Sequence, residues 1–145
     1  MYTASCLCAE IEIQITGPIT DIIHCHCSKC RKSTGSAYAT NGFVLKQDLL
    51  IVKGESLINS YCPNTHSSRH FCQNCASPLY NENSQDPMRV RIRLGMLDSD
   101  IAERPGSHNF VTSKANWDKF NDKLPHYKGQ EPHRSEAPSA AECDR

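Results

Sequence analysis

The sequence lacks several features that would assign a class of protein at once. Neither sign of charge is in excess, because 16 lysines and arginines balance 16 aspartates and glutamates. This balance argues against a broad nucleic-acid footprint. There is no apolar run of about 18 residues, so we expect no membrane span. The first residues form neither a basic nor an apolar signal segment, so the expected compartment is the cytosol.

Cysteine, in contrast, is abundant, with nine residues in a chain of 145. In a reducing compartment, cysteines act more often as metal ligands or catalytic groups than as disulfide partners. Because thiolates at such close spacing are typical zinc ligands, zinc is the first explanation to consider. Seven of the nine fall into three groups, which are Cys6-x-Cys8, Cys25-x-Cys27-x-x-Cys30 and Cys72-x-x-Cys75.

The hydrophobic pattern predicts an all-β domain. Ile11, Ile13 and Ile15 alternate with polar residues, which is typical of a half-buried strand. Similar short segments recur at spacings of roughly 8–12 residues with turn signals between them. We expect one or two helical turns over Ser28–Thr34, with Gly35 as the C-terminal cap. A second short helix is predicted over Asn116–Phe120.

Three local expectations follow from the same pattern. Leu49–Val52 and Leu57–Tyr61 are predicted to pair as a hairpin across Lys53-Gly54. Trp117 is expected in the core. The strand over 88–94 is predicted to turn its apolar residues inward and three arginines outward to solvent, namely Arg89, Arg91 and Arg93. Binding of an anion is the alternative role of these arginines.

The domain is predicted to span residues 1–127, followed by a disordered tail over 128–145. From Lys128 onward, prolines, serines and mixed charges replace the apolar β-formers. We therefore expect the tail to contribute little to folding, and Cys143 within it to be incidental.

The cysteine groups divide by the number of ligands they offer. The two outer pairs together supply four thiolates, the number that a structural zinc site needs: Cys6, Cys8, Cys72 and Cys75. The central group supplies three, Cys25, Cys27 and Cys30, which leaves an open fourth position typical of a catalytic zinc. Water or a substrate thiol can occupy that position, and zinc deprotonates a bound thiol. The basic neighbours that would attract an anionic thiol are Lys29, Arg31 and Lys32.

Spacing alone leaves alternatives open for the central group. A further side chain can close the site and make it structural, and the candidates are Cys62, His24, His26, His66 and His70. A thiol–disulfide pair of Cys27 and Cys30 is a weaker alternative, because no βαβ pattern surrounds the motif.

These motifs resemble those of the glutathione-dependent formaldehyde-activating enzyme family, which includes centromere protein V. The resemblance runs from Cys6 to about Tyr127. Besides the cysteines, it includes Thr34-Gly35-Ser36, Phe71, Ser77, Leu79, Gly95-Met96-Leu97-Asp98 and Trp117.

The resemblance implies a β-tent fold of small antiparallel sheets pinned by zinc, with two zinc ions per chain. It implies a carbon–sulfur lyase activity, in which formaldehyde and glutathione condense to S-hydroxymethylglutathione, so a small thiol and an aldehyde are the expected substrates. The alternative is a zinc-stabilised binding module without catalysis, as the centromere member suggests. The implied ligands are Cys6, Cys8, Cys72 and Cys75 for the structural zinc, and Cys25, Cys27 and Cys30 for the second.

The sequence departs from the family pattern at three positions. Members usually carry glycine before the first cysteine and directly after the second and the last, where this chain has Ser5, Ala9 and Ala76. Where glycine serves a positive φ, its replacement costs stability and can shift the ligand geometry.

Overall fold

The computed structural model describes residues 1–136, and within them the chain is built from short strands and one α-helix. The all-β prediction is confirmed. The helix, α1, spans Ser28–Thr34. The strands are β1 Tyr2–Ser5, β2 Glu12–Ile15, β3 Thr20–Cys25, β4 Ala39–Leu45, β5 Leu49–Lys53, β6 Ile58–Tyr61, β7 Ser67–Cys72, β8 Pro78–Asn83, β9 Asp86–Arg93, β10 His108–Asn109 and β11 His126–Tyr127.

The strands form a three-stranded and an eight-stranded sheet. The small sheet has the order β1-β2-β5, and the large one has the order β11-β10-β3-β4-β9-β8-β7-β6. Neighbours pair antiparallel except at β10, which lies parallel to both β3 and β11. Because β5 ends in the small sheet and β6 begins in the large one, the chain changes sheets at Gly54.

That change of sheet overturns the predicted hairpin between Leu49–Val52 and Leu57–Tyr61. β5 pairs with β2, and β6 pairs with β7. The turn signal at Gly54 is real, because its φ is +76° and a side chain there would overlap the carbonyl oxygen of Glu10. The turn nevertheless directs the chain away from β5. The local sequence does not reveal this direction.

The hydrophobic core lies between the two sheets and follows the period-two pattern. Ile11, Ile13 and Ile15 are fully buried, whereas the alternating Glu12 is exposed. Burial of each such side chain contributes about 1.5–3 kcal/mol. The large sheet adds the opposite half of this core with Ile22, Val44, Leu79, Val90 and Ile92, and Ile19 joins them from the residue before β3.

The other face of the large sheet is polar, and here the solvated-arginine prediction is wrong. Arg89 and Arg93 are only 8% and 4% exposed, and Arg91 is half-buried. The strand alternates as predicted, but other segments cover this face. Arg93 contacts α1 through Ser33, at 3.3 Å, and Arg89 donates to the carbonyl oxygen of Ser135, at 3.1 Å.

Helix α1 begins and ends as its sequence predicts. Cys27 is the N-cap, and its Sγ accepts a hydrogen bond from the Cys30 amide at 3.3 Å. Gly35 ends the helix in the left-handed conformation, with φ of +63°, which glycine adopts without steric cost.

No helix within residues 1–136 has the length and apolarity needed to cross a membrane.

The predicted helix over Asn116–Phe120 is wrong. The structure has only a turn at Asn116 and Trp117. Trp117 is 69% exposed rather than in the core. The five-residue segment has neither the length nor the amphipathic repeat that stabilises a helix through packing.

The boundary between a domain over 1–127 and a tail over 128–145 stays a prediction, and residues 137–145, including Cys143, lie outside the described residues. Residues 128–136, in contrast to our expectation, contact the body. Glu131 is 8% exposed, accepts a hydrogen bond from Asn109 and pairs with Arg134 at 2.7 Å. Composition alone misses this docking because polar groups rather than apolar β-formers make it.

Replacing Glu131 by alanine is expected to lower the free energy of unfolding by about 1–3 kcal/mol. The substitution leaves the buried amide of Asn109 without its acceptor, and such unsatisfied groups cost this amount. Urea unfolding measures the loss. Glu136→Ala, at an exposed position, is the control, and equal stability of the two variants would contradict a role of the docked segment in folding.

Candidate metal centres

Four cysteine thiols from distant segments meet between the two sheets. Cys6 and Cys8 follow β1, Cys72 ends β7, and Cys75 lies in the turn before β8. Their Sγ atoms all lie within 4.8 Å of one another. The Sγ atom of Cys8 is 3.5 Å from that of Cys6 and 3.9 Å from that of Cys72, which lies 64 positions along the chain.

This geometry fits tetrahedral zinc. Bonds of about 2.3 Å to four sulfur atoms place those atoms about 3.8 Å apart, and the two Sγ distances bracket that value. N–H groups also surround the sulfurs, as expected for thiolates. The Ile11 amide donates to Cys6 Sγ at 3.3 Å, and Asn74 Nδ2 donates to Cys8 Sγ at 3.4 Å.

Both cysteine pairs sit in tight turns. Cys6 and Cys8 lie beyond the end of β1, which stops at Ser5. The amide of Ala9 donates to the Cys6 carbonyl at 2.9 Å, and the amide of Ala76 donates to the Cys72 carbonyl at 2.8 Å. Each turn folds its two thiols back toward the same point.

The thiols of this cluster differ in acidity. Hydrogen bonds to the Ser77 side chain and backbone lower the pKa of Cys75 to about 5. Burial raises the pKa of Cys72 to about 11. A bound metal ion overrides this difference, since it takes every ligand as the thiolate.

The second cluster forms where β3 passes into α1. Cys25 is the last residue of β3, Cys27 caps α1, and Cys30 lies in its first turn. Their three Sγ atoms lie within 4.8 Å of one another. Within residues 1–136, no fourth Cys, His, Asp or Glu ligand atom joins them at that distance. Three thiols and an open position match the ligand set of a catalytic zinc.

An arginine stands beside this central cluster. Arg93 Nη1 is 3.9 Å from Cys30 Sγ and donates to Asn41 Oδ1 at 2.6 Å. Hydrogen bonds from the Cys25 and Cys27 thiols, together with the Arg93 charge, hold the pKa of Cys30 far below its usual range. The hydrogen bonds that Cys25 makes to Cys27 and Cys30 raise its own pKa. The surroundings therefore favour negative charge on sulfur, which suits metal ligation.

The side chains considered as a fourth ligand are occupied elsewhere or distant. Cys62 is exposed after β6 and is not part of the cluster. The four histidines contact other groups, which are Thr40 for His24, His108 for His26, Ser84 for His66 and Glu82 for His70.

Comparison with known proteins decides the family. The family model described as glutathione-dependent formaldehyde-activating enzyme matches residues 1–113, which include all seven clustered cysteines. The chain belongs to this family.

Two curated relatives carry the family name as a provisional assignment. A Halomonas elongata protein is 30% identical over 125 residues, which cover 81% of this chain and 79% of that protein. An Emericella nidulans protein is 32% identical over 78 residues, which cover 52% of this chain and 39% of that protein. A Rhodobacter sphaeroides crystal structure shares the fold, with a TM-score of 0.58 and 21% identity over 69% of this chain and 91% of its own.

One polar network in this family member was missed by sequence reasoning. His26, between two of the central cysteines, is fully buried, and its Nε2 lies 2.8 Å from His108 Nδ1. The other ring nitrogen of His108 lies 2.8 Å from Asp122 Oδ2. His108, Asp122 and His126 also bring three ligand atoms within 4.8 Å of one another. No motif or spacing links positions 26, 108 and 122.

The alanines that replace the family's glycines have the backbone conformation that favours glycine. Ala9 has φ of +59° and Ala76 has φ of +61°. A left-handed conformation costs an L-residue about 1–2 kcal/mol. The chain therefore carries strain directly after Cys8 and Cys75, next to the four-cysteine cluster.

We expect Ala76→Gly to raise the free energy of unfolding by about 0.5–1 kcal/mol. Glycine relieves the left-handed strain, and its greater freedom in the unfolded chain offsets part of the gain. Urea unfolding of the metal-loaded protein checks this result. Ala102→Gly, where φ is not positive and the side chain is exposed, should instead be neutral or destabilising. A loss of stability at position 76 would contradict the strain.

Replacing Cys62 by serine is expected to leave the zinc content unchanged. The thiol is exposed and stands apart from both clusters. Metal analysis of the purified variant, beside the wild type, measures this directly. Release of one zinc per chain would make the central site a closed, structural one.

Proposed function

We propose that this protein is a zinc-dependent carbon–sulfur lyase acting on a small thiol adduct, with glutathione and formaldehyde as the reference substrates. The observation that carries the proposal is the three-thiol cluster of Cys25, Cys27 and Cys30. No fourth side chain among the described residues completes this cluster, so its fourth position is open to a substrate. The family membership and the relatives' names support the same chemistry. We further propose two zinc ions per chain and a cytosolic location, where these thiols stay reduced.

The reaction joins the thiol sulfur to the aldehyde carbon. The sulfur–carbon bond forms as the carbon–oxygen π bond breaks, and the proton lost by the thiol ends on the new hydroxyl. When bound, zinc supplies a position at which a thiol is held as thiolate at neutral pH. Cys25, Cys27 and Cys30 hold the metal, and Arg93 provides positive charge beside them.

The surroundings of the central cluster favour an enzyme over a binding module with a closed zinc. A cavity of about 790 Å³ borders the end of α1, and its wall includes Tyr38, Arg93 and Cys6 of the four-cysteine cluster but none of the three central thiols. Ligand sites are typically concave and of several hundred Å³. Arg93 also reaches Cys30 and therefore links this cavity to the thiol cluster.

The test is acceleration of a reaction that also runs spontaneously. Zinc-loaded protein, glutathione and ¹³C-formaldehyde are mixed, and exchange between formaldehyde hydrate and S-hydroxymethylglutathione is measured by NMR. We expect faster exchange with the wild type than with buffer or with Cys27→Ser. Two bound zinc ions without acceleration would favour the binding module.

A further inference from the structure

The polar face of the large sheet carries a cavity of about 370 Å³ that the cysteine chemistry does not use. The chain has no net charge, yet arginines crowd this one place. We call it the arginine cavity. The charged residues of its wall are Arg69, Arg89, Arg91 and Arg134, with Glu82 and Asp86.

Two of the four arginines are neutralised within the protein. Arg89 pairs with Asp86 at 2.8 Å. Arg134 pairs with Glu131, just outside the cavity wall, at 2.7 Å. The remaining acidic residue, Glu82, is held by Lys46 and His70. No carboxylate at the cavity is therefore left over for the other two arginines.

Arg69 and Arg91 have no charged partner within the part of the chain that the structure describes. Arg69 donates to a neutral acceptor, the Ser33 hydroxyl, at 3.2 Å. Arg91 lies 4.2 Å from the Phe43 ring centroid, and its Nη2 is buried without a hydrogen-bond partner among residues 1–136. A buried donor without an acceptor is costly, and a bound anion would satisfy it.

The sheet register places the two arginines for joint recognition. Phe43 pairs with Arg91, Arg91 with Asn81, and Asn81 with Arg69 across four neighbouring strands. The two guanidinium groups therefore rise from the same row on either side of Asn81. Planar guanidinium forks bind carboxylates through paired hydrogen bonds.

The arginine cavity is also connected to the central cysteines. The Ser33 hydroxyl that accepts from Arg69 also accepts from Arg93, whose other nitrogen reaches Cys30 Sγ. The side chains of Ser33 and Arg93 therefore separate the thiol cluster from Arg69 by only two hydrogen-bonded residues. Glutathione carries two carboxylates beyond its sulfur.

We propose that the arginine cavity binds a carboxylate of the thiol substrate, with Arg91 and Arg69 as the groups that recognise it. The identity of the thiol rests on the proposed function, whereas the affinity for a carboxylate does not. The protein accordingly selects acidic thiols over neutral ones.

The test uses S-methylglutathione, whose blocked sulfur cannot take part in the reaction, and its bis-amide, which lacks both carboxylates. Calorimetric titration of the zinc-loaded protein should show the acid binding about tenfold or more tightly than the bis-amide, as expected for charge-assisted hydrogen bonds. Arg91→Gln should abolish this preference, and Arg91→Lys should keep part of it. Arg104→Gln, at an exposed position, should keep all of it.

The preference, rather than the absolute affinity, decides the outcome. Equal loss of both ligands in Arg91→Gln would mean a structural role and would overturn the proposal, as would an unchanged preference. Activity measured in parallel separates the two proposals. If Arg91→Gln catalyses formaldehyde exchange with an unchanged KM for glutathione, the proposed function stands and the proposed role of the arginine cavity falls. If the wild type shows an Arg91-dependent preference but no exchange, the role of the cavity stands and the proposed function falls.

Discussion

Replacing Cys72 by serine is expected to give insoluble or unfolded protein. Cys72 is fully buried at the end of β7, and its sulfur meets that of Cys8, which follows β1 and lies 64 positions earlier in the chain. Structural zinc is worth about 10–16 kcal/mol in small peptides, which is as large as the net stability of about 5–15 kcal/mol of a typical domain. Loss of this metal therefore removes a free energy comparable to the whole free energy of unfolding.

Two controls separate loss of the metal from the cost of a buried hydroxyl. Removing zinc from the wild type with a chelator should unfold the protein without changing any side chain. Cys62→Ser introduces the same substitution at an exposed site and should stay folded. Circular dichroism and metal analysis of the soluble fraction provide the measurements. A folded, soluble Cys72→Ser protein with one zinc per chain would show that the four-cysteine cluster is not structural.

The grouping of the cysteines was predictable because spacing limits which thiols can meet. Two thiols in a tight turn offer half a tetrahedral site, so Cys6-x-Cys8 needed a second pair and Cys72-x-x-Cys75 supplied it. The three central thiols come from the six-residue segment 25–30, which also carries its own helix N-cap, Cys27. Local signals of this kind survive in the fold because little tertiary context acts on them.

The misplaced features are those that depend on contacts between distant segments. Alternation in β9 identified which way Arg91 points, but not that other segments cover that face of the sheet. Similarly, nothing in the sequence near Glu131 indicates that its carboxylate accepts a hydrogen bond from the side chain of Asn109. A period-two pattern separates two faces and does not say which of them meets water.

The central thiols and the arginines of the cavity offer a ligand two different interactions. Among the described residues, the central cluster has no ligand beyond its three thiols, and Arg93 supplies positive charge beside it. In the same part of the chain, Arg69 and Arg91 of the arginine cavity have no carboxylate partner. Two adjacent, incompletely satisfied sites suit a ligand that has both a sulfur and a carboxylate.

Replacing Cys27 by serine is expected to give a folded protein that loses about one zinc per chain and its thiol-adduct chemistry. Cys25, Cys27 and Cys30 lie within one short segment, so their cross-link constrains the unfolded chain far less than one between distant segments. Serine also preserves the second role of position 27. Cys27 Sγ caps α1 by accepting from the Cys30 amide, and serine is among the preferred N-cap residues.

Cys27→Ala completes the comparison, because it removes both the ligand and the cap. We expect the alanine variant to lose the same zinc and to be about 1 kcal/mol less stable than the serine variant. Metal analysis, urea unfolding and formaldehyde exchange on both variants separate ligation from capping. If Cys27→Ser unfolded as fully as Cys72→Ser, both zinc ions would be structural and the binding module would replace the enzyme. The open position at Cys25, Cys27 and Cys30 therefore makes this substitution the one that distinguishes the two functions.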